Sequence, residues 1–417
     1  MSGFLRAPWL CAVARVFGDT PIYAVGGSVR NERMGLPASD VDVCGPAHPE
    51  EVLRLCEGTE VHAVLRAAHF GTVELHARDD EGRHMAEYTT FRVDSYRCGH
   101  QPEQVRFADS LDVDALRRDF SVNALYQPLT GGEVIDPTGG LAHLQEGVLH
   151  TVTADPDQVL KDDGLRILRA ARFQAELGLV PTDALIASAK KHSPLLRDIA
   201  RERLHDELHK ILLADLRYPA LARSVHPVQA GLETLARVNA WEALFGDLAL
   251  DEEALTAQAR YTAPQGVSPA SGRMALLFGR ETPDALLDAM RRLCFSVRES
   301  EEAARLLLAQ RGGDAFSAFD AAKAGKGAMR HVAAAREALG LPTERARELL
   351  SALGRVPGSL RELAVNGDDL LALCRELSAP PRRIGEALNA LWRETALEAL
   401  PNERAALLAR ARALLAG

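Results

Sequence analysis

Two aspartates separated by one residue, Asp40 and Asp42 in SDVDV, follow about a dozen residues after a glycine pair, Gly26 and Gly27 in YAVGGSVR. In an extended strand the side chains at i and i+2 share a face, so the two carboxylates stand side by side while Val41 and Val43 turn to the core. Such a pair repels itself unless a cation lies between, and hard oxygen donors of this kind suit Mg²⁺, which keeps some waters and accepts further oxygens from a phosphate. The plainer reading, a solvated strand edge, fits the short D-x-D pattern equally well. Gly26 and Gly27 would let the backbone approach a phosphate closely, although a strand that merely ends in a tight turn also uses glycine.

A second group lies in DDGLRILRAARF, residues 162–173. Read as one helix, it puts Asp163, Arg166, Arg169 and Arg172, three residues apart, on roughly one face, with Leu165, Ile167, Leu168 and Phe173 largely elsewhere. One acid with three arginines is a poor core; a solvated stripe and an anion-binding face are both open from the spacing.

The elements that must position these residues change character near residue 150. Before it, the β-rich runs PIYAVGG, SDVDVCG, HFGTVELHA, HMAEYTTF and EVIDP alternate with turns and a few helical segments, which predicts a mixed sheet with helices. After it, Ala, Leu, Arg and Glu recur at helical spacing with Gly and Pro at the breaks, so the remainder is expected to be almost wholly helical. The fold class is therefore α+β: a mixed-sheet N-terminal domain followed by helices. The 417 residues suffice for two or more domains. No long uncharged apolar run or signal-peptide pattern occurs, so a cytoplasmic location is expected. The six cysteines lie far apart with no C-x-x-C pair, which indicates neither a disulfide framework nor a zinc site. A net charge of −9 argues against indiscriminate nucleic-acid binding, and any such site must be a local basic patch.

Taken in order, GG-x-VR, DVD, ALRRDFSVNALY (115–126), IDPTGG (135–140), DDGLRILRAARF and RERLHDELHKIL (201–212) resemble the class II tRNA nucleotidyltransferases: the bacterial CCA-adding enzymes and their relatives, the bacterial poly(A) polymerases. The C-terminal stretch from LAVNGDD onward also looks like the end of the CCA-adding family, whereas 215–340 matches little beyond being helical. The resemblance implies a nucleotidyltransferase head over 1–145, a helical neck over 146–214, a helical body over 215–340 and a tRNA-binding tail over 341–417. It implies Mg²⁺ as cofactor, CTP and ATP as substrates and the 3′ end of tRNA as partner. Transfer to a 3′-hydroxyl needs divalent ions to activate the hydroxyl and hold the triphosphate. Asp40 and Asp42 would then be the metal ligands, and Glu87 in MAEYTTF falls where relatives place a further carboxylate, though an ordinary exposed strand residue is equally open.

Gly27, Arg30 and Arg118 would meet nucleotide phosphate or ribose, against a plain surface salt bridge for each arginine. Within the family, the pair corresponding to Asp163 and Arg166 acts as a protein template. A carboxylate accepts from the amino group that cytosine and adenine share, and a guanidinium donates to neighbouring ring acceptors, whereas uracil and guanine offer a carbonyl at the amino position. Arg169 and Arg172, further along, suit phosphates or the acceptor strand.

The chain departs from the family at Asn31, usually Asp, at Asp162, usually Glu, and in residues 92–106, where Tyr96 and Pro102 remain but an expected acid is missing. That loop is associated with the change from CTP to ATP, so full CCA addition, CC addition and terminal A addition all stay open. A poly(A) polymerase is disfavoured because AAHFGTVEL lacks a G-R-R-F-like segment, and a non-catalytic RNA-binding module by retention of Asp40 and Asp42. Leu204–Asp206, LHD, reads as helix surface rather than a phosphohydrolase motif. Arg345, Arg347, Arg355, Arg361, Arg382 and Arg383 are candidate tRNA contacts, about half of them expected to be ordinary solvated helix faces.

Overall fold

The computed structural model describes residues 3–37, 40–96, 102–219, 221 and 226–416. It comprises two compact units, Met1–Leu244 and Phe245–Gly417, a coarser division than the four segments expected.

The first unit is built on a six-stranded mixed sheet. Its strands are β1 (Tyr23–Val25), β2 (Val41–Gly45), β3 (His62–Ala67), β4 (Thr72–Asp79), β5 (Gly82–Thr90) and β8 (Tyr126–Pro128), in the order β3-β4-β5-β2-β1-β8. β2 and β5 run parallel, with Asp42 opposite Glu87, and the other neighbours are antiparallel. Period-2 alternation drives this: Val41 and Val43 are buried and Asp42 is not, while Ala86 and Tyr88 are buried and Glu87 is exposed. Helices α1 (Pro8–Phe17) and α3 (Pro49–Cys56) complete the core through Leu10, Val13, Phe17 and Val52, packed with Val43, Val73, Leu75 and Tyr88.

Four of the five expected β-rich runs are strands. EVIDP is not: Ile135 makes a single bridge to Tyr126 before Asp136 turns the chain by accepting from the backbone N–H groups of Gly140 and Leu141. β3 lacked a clear signal. The segment read as an altered loop is largely a hairpin, β6 (Arg92–Tyr96) paired with β7 (Pro102–Phe107), with its tip, 97–101, outside the described residues.

The expected single helix over 162–173 is two. α6 (Pro156–Asp162) ends at Asp163, which is extended at φ −146° and ψ 105°, and α7 (Arg166–Leu177) starts after a turn. Gly164 explains the break: a Cβ there would lie 2.9 Å from Leu195 Cβ, so only glycine lets the chain pass this close to residues 193–198. Helix α9 (Arg201–Leu212) packs on α7 and buries Leu204, Leu208 and Ile211, which places Leu204 of the LHD triplet in the core rather than on the surface. Apart from the two-residue strands β9 (Val148–Leu149) and β10 (Val180–Pro181), the described residues beyond 128 are helical or irregular, as expected. In the second unit, helices 318–338, 344–352, 367–377, 384–396 and 404–416 succeed one another, the last three around a core of Leu370, Leu391 and Leu407.

Candidate active site

The chain leaves β1 through Gly26, whose φ of 74° is a left-handed conformation open to glycine and strained for other residues, and Gly27 opens α2 (Gly27–Arg33). The special backbone geometry therefore belongs to Gly26; Gly27 follows with ordinary φ. One helical turn on, Arg30 is buried beneath this turn. Its Nε and Nη2 donate to Asn31 Oδ1 at 3.2 and 2.8 Å, and its Nη1 donates to Asn123 Oδ1. Asn31 in turn donates to Pro37 O at 3.0 Å and Tyr218 Oη at 2.8 Å. Asn31 thus holds Arg30 by the hydrogen bonds an aspartate would make, without its charge. Burial, with the like charge of Arg172 adding to it, pulls the Arg30 guanidinium down to about 10, still fully charged at neutral pH.

Asp42 lies on β2 with its side chain open to the same cleft. The residue is open to the cleft, yet the surrounding protein strips water from its carboxyl, and this, reinforced by Glu87 and Asp40 against the pull of Arg118, raises it to about 6. Asp40 sits in the bend just before β2, exposed, so the two carboxylates are i and i+2 as expected but only Asp42 is within the strand. Glu87 stands beside Asp42 in register and opposite Glu74 of β4, outside the cavity wall.

The RRDF block forms the floor. Asp114, fully buried on α4 (Leu111–Leu116), accepts from Arg117 Nε at 2.7 Å, Arg118 Nη2 at 2.9 Å and Tyr126 Oη at 2.8 Å. Burial alone would raise its carboxyl; Arg118 and Arg117 outweigh that and hold it down at about 2. Arg118, whose burial would lower it, is raised by Asp114. Asp119 accepts from Phe120 N at 2.8 Å, Asn123 Nδ2 at 3.0 Å and Arg169 Nε at 2.8 Å; against its burial, Arg169 and Asn123 hold it well below the usual carboxylate range.

From the helical side, Asp163 Oδ1 accepts from Leu165 N at 3.0 Å and Oδ2 from Arg203 Nη2 at 2.9 Å. Arg166 is buried and donates to the carbonyls of Val159 at 3.0 Å and Arg117 at 2.6 Å. Arg172 pairs with Glu207 at 2.7 Å and Glu176 at 3.5 Å. Arg30, Arg169 and Arg172 all lie over the Phe173 ring, with their guanidinium carbons 5.2, 5.4 and 4.5 Å from its centre.

Residues of the glycine turn, of β2, of the RRDF block and of the helices together line one cavity of about 550 Å³. Nine arginines and four aspartates face it, a strongly positive enclosure that suits a polyanion. Of the residues singled out from the sequence, Gly27, Arg30, Asp42, Arg118, Asp163, Arg166, Arg169 and Arg172 are in its wall; Asp40 and Glu87 are not. Sequence reasoning missed Arg92, Asp94, Arg117, Asp119, Asn123, Phe173, Arg203 and Arg217 as wall residues. Arg117, Asp119 and Asn123 were within reach, since they belong to the ALRRDFSVNALY block; Arg92 and Arg217 carried no signal.

The carboxylates fit a divalent ion. Asp42 is a hard oxygen donor in a partly desolvated position with two like charges beside it, which a cation would relieve. Among the described residues no cluster of three or more acidic, His or Cys side chains could enclose a metal, so remaining ligands would be waters and phosphate oxygens. In the second unit, Arg345 bonds Glu348 and Phe316 O, Arg347 and Arg355 lie 3.7 and 3.6 Å from Glu337 and Glu398, and Arg383 donates to Leu415 O. Arg361 and Arg382 are exposed on short turns of helix.

A mixed sheet carrying paired carboxylates beside an arginine-lined cavity, closed by helices that follow it, defines a nucleotidyltransferase. The comparisons agree. Residues 22–150 match the poly A polymerase head domain, and residues 182–223 match a probable RNA and SrmB-binding site of polymerase A. The chain is 32% identical to a CCA-adding enzyme of Levilactobacillus brevis over 93% of its own length and 92% of the relative's. It is 30% identical to one of Geobacillus kaustophilus over 92% and 90%. It is similar in structure to the Bacillus stearothermophilus CCA-adding enzyme in complex with CTP, with a TM-score of 0.73, 26% identity and 97% of each chain covered. The Thermotoga maritima CCA-adding enzyme complexed with tRNA shares the fold at a TM-score of 0.68 and 18% identity. The chain belongs to the CCA-adding enzyme family of class II tRNA nucleotidyltransferases, and that membership implies a divalent metal. No helix among the described residues is long and apolar enough to cross a membrane.

Proposed function

We propose that this chain adds C and A to the 3′ end of tRNA without a nucleic-acid template, using CTP and ATP with Mg²⁺ held by Asp40 and Asp42. The observation that carries the reading is that Asp42, Arg30, Arg118 and Asp163, separated by up to 133 positions in their numbering, open into one cavity of positive lining. Bound Mg²⁺ supplies activation of the tRNA 3′-hydroxyl and charge neutralisation on the triphosphate. The chain's own residues do the rest. Arg30, with only neutral side-chain oxygens as direct partners, offers its charge to the triphosphate, while Arg118 is braced by Asp114 and Tyr126 so that its remaining donors are fixed in place. Asp163 accepts from the amino group of C or A and presents an acceptor to the carbonyl of U or G, which refuses them. Arg166, anchored on two carbonyls, keeps unused donors for the base ring. Arg169 and Arg172, each tied to an acid, hold the cavity wall around Phe173.

In support stand the family relationship along 93% of the chain and the division of labour between the sheet edge and the helices. The test is incubation of a tRNA lacking its CCA end with labelled CTP, ATP, UTP or GTP and Mg²⁺. Addition of C, C and A in that order is expected; products stopping at CC or gaining only A would narrow the activity, and absence of all transfer would refute it. In Asp163→Ala, the preference for CTP over UTP on a tRNA awaiting its first C should fall about ten- to a hundredfold, as a selective hydrogen bond is lost. A ratio unchanged within about twofold in the folded variant would remove Asp163 from base selection.

A further inference from the structure

Arg203 reaches the cavity from α9, and its guanidinium is the cation on Asp163: Nη2 donates to Oδ2 at 2.9 Å. The other oxygen, Oδ1, is bonded to Leu165 N at 3.0 Å within the turn that separates α6 from α7. The two bonds engage different oxygens and come from different elements, so they set both the position and the plane of the carboxylate, while a lone pair on each oxygen stays available. Arg166, the partner expected from the sequence, is held by the carbonyls of Val159 and Arg117.

We propose that Arg203 is the positioning residue for nucleobase choice: it keeps Asp163 as an oriented, acceptor-only carboxylate, so that the amino group of C or A is bonded and the carbonyl of U or G is refused. The proposal rests on the reading of Asp163 as the base acceptor. Without the guanidinium, Asp163 would still be tied at Oδ1 but free to turn about that bond, and a carboxylate turned away would neither bond the amino group of C or A nor stand against the carbonyl of U or G. The Arg203 side chain is 37% exposed, where an ion pair adds little to stability, so its effect belongs in selectivity rather than in folding.

The experiment measures incorporation efficiencies of CTP and UTP on a tRNA awaiting its first C, for the full chain as wild type, Arg203→Ala, Arg203→Lys, Arg203→Gln, Asp163→Ala and the Arg203→Ala/Asp163→Ala double variant, with folding checked by thermal melting. In Arg203→Ala the CTP/UTP ratio should fall about tenfold, the scale of one misplaced selective contact. Lys, which can still donate with a charge, should restore part of the ratio and Gln less. In the Asp163→Ala background, removing Arg203 should change nothing further, because it acts through that carboxylate. If Asp163→Ala lowers the ratio and Arg203→Ala leaves it within about twofold of wild type, the role of Arg203 is overturned and that of Asp163 stands. An equal drop from Arg203→Ala in both backgrounds also overturns it, since Arg203 would then act independently. If Asp163→Ala itself has no effect, the reading of Asp163 fails and the proposal with it. Should Arg203→Ala not fold, the order wild type, Lys, Gln in the ratio decides, and a Gln variant equal to wild type refutes the role.

Discussion

At the scale of single residues, most charges of the site are paired, as Asp114 and Asp119 are with arginines, while Asp42 and Arg30 are held where charge is disfavoured without a ligand. Asp42 is the sharpest instance. Its carboxyl is raised to about 6, so in the metal-free protein its ionisation works against the folded state between its ordinary value near 4 and 6, and a cation relieves that cost. Asp42→Asn should therefore leave the metal-free protein at neutral pH as stable as wild type or slightly more stable. Its nucleotide transfer should drop by roughly a hundredfold or more, because a ligand to the metal is lost. Thermal melting with and without Mg²⁺, together with single-turnover transfer, checks both halves. A variant that melts early, or one that retains appreciable activity, would assign Asp42 to structure and not to chemistry. Glu87 is a weaker candidate than its place in the sequence implied. It is aligned with Asp42 across parallel strands but outside the cavity, which suits an influence through charge on Asp42 more than direct ligation.

At the scale of elements, the decisive feature is the break between α6 and α7. A continuous helix would carry Asp163 and Arg166 on one face; the break sets Asp163 in an extended turn against Arg203 and sinks Arg166 onto backbone carbonyls. Gly164 makes the break possible, since any Cβ at that position would sit 2.9 Å from Leu195 Cβ, an atom fixed to the backbone that has little room to give. Gly164→Ala is expected to cost about 1–3 kcal/mol, as other overpacked sites do. Because the strain falls on the turn that aims Asp163, selectivity for CTP over UTP should drop with it. Urea unfolding and the incorporation ratio measure the two effects, and a stable Gly164→Ala with unaltered selectivity would mean that Leu195 yields instead.

At the scale of the whole molecule, the two compact units carry differently tuned buried titrating groups. In the first, Asp114 is held at about 2 by Arg118 and Arg117 against its burial. A carboxyl depressed on folding contributes stability that is present above its unfolded value near 4 and is lost as the pH falls toward 2, here about 2 kcal/mol. In the second, His331 is fully buried between Tyr261 Oη at 2.9 Å and Gln310 Oε1 at 3.1 Å, and burial pulls it down to about 3. A histidine depressed on folding stabilises above its unfolded value near 6.5 and loses that contribution as the pH falls from there toward 3. The second unit is thus expected to weaken first on acidification, from about pH 6, and the first, whose partly buried His143 is depressed less than His331, chiefly below about pH 4. Trp392 fluorescence in a chain carrying Trp9→Phe and Trp241→Phe would follow the second unit, and Trp9 fluorescence with the other two tryptophans replaced the first. Coincident acid transitions, or a second unit whose acid limb is unchanged by His331→Asn, would contradict this.

What the sequence determined by itself is what local pattern and motif spacing can encode. Alternation placed β1, β2, β4 and β5, helical spacing and breakers gave the helical remainder, and the ordered blocks named the family and eight of the eighteen residues of the cavity wall. EVIDP showed the limit of that reading: a short apolar run becomes a strand only if a neighbour is free to pair with more than Ile135. Only the tertiary structure decided which charges meet. Asp163 and Arg203 are 40 positions apart, Arg30 and Asn123 are 93 apart, and their bonds depend on how α9 packs on α7 and on how α2 lies against the RRDF turn. The same holds for the fate of Arg166, which a helical wheel exposes and a broken helix buries. Periodicity reports which face of an element is apolar, whereas the partner of a charged side chain is set by long-range packing that leaves no mark at the spacing of a single turn or strand.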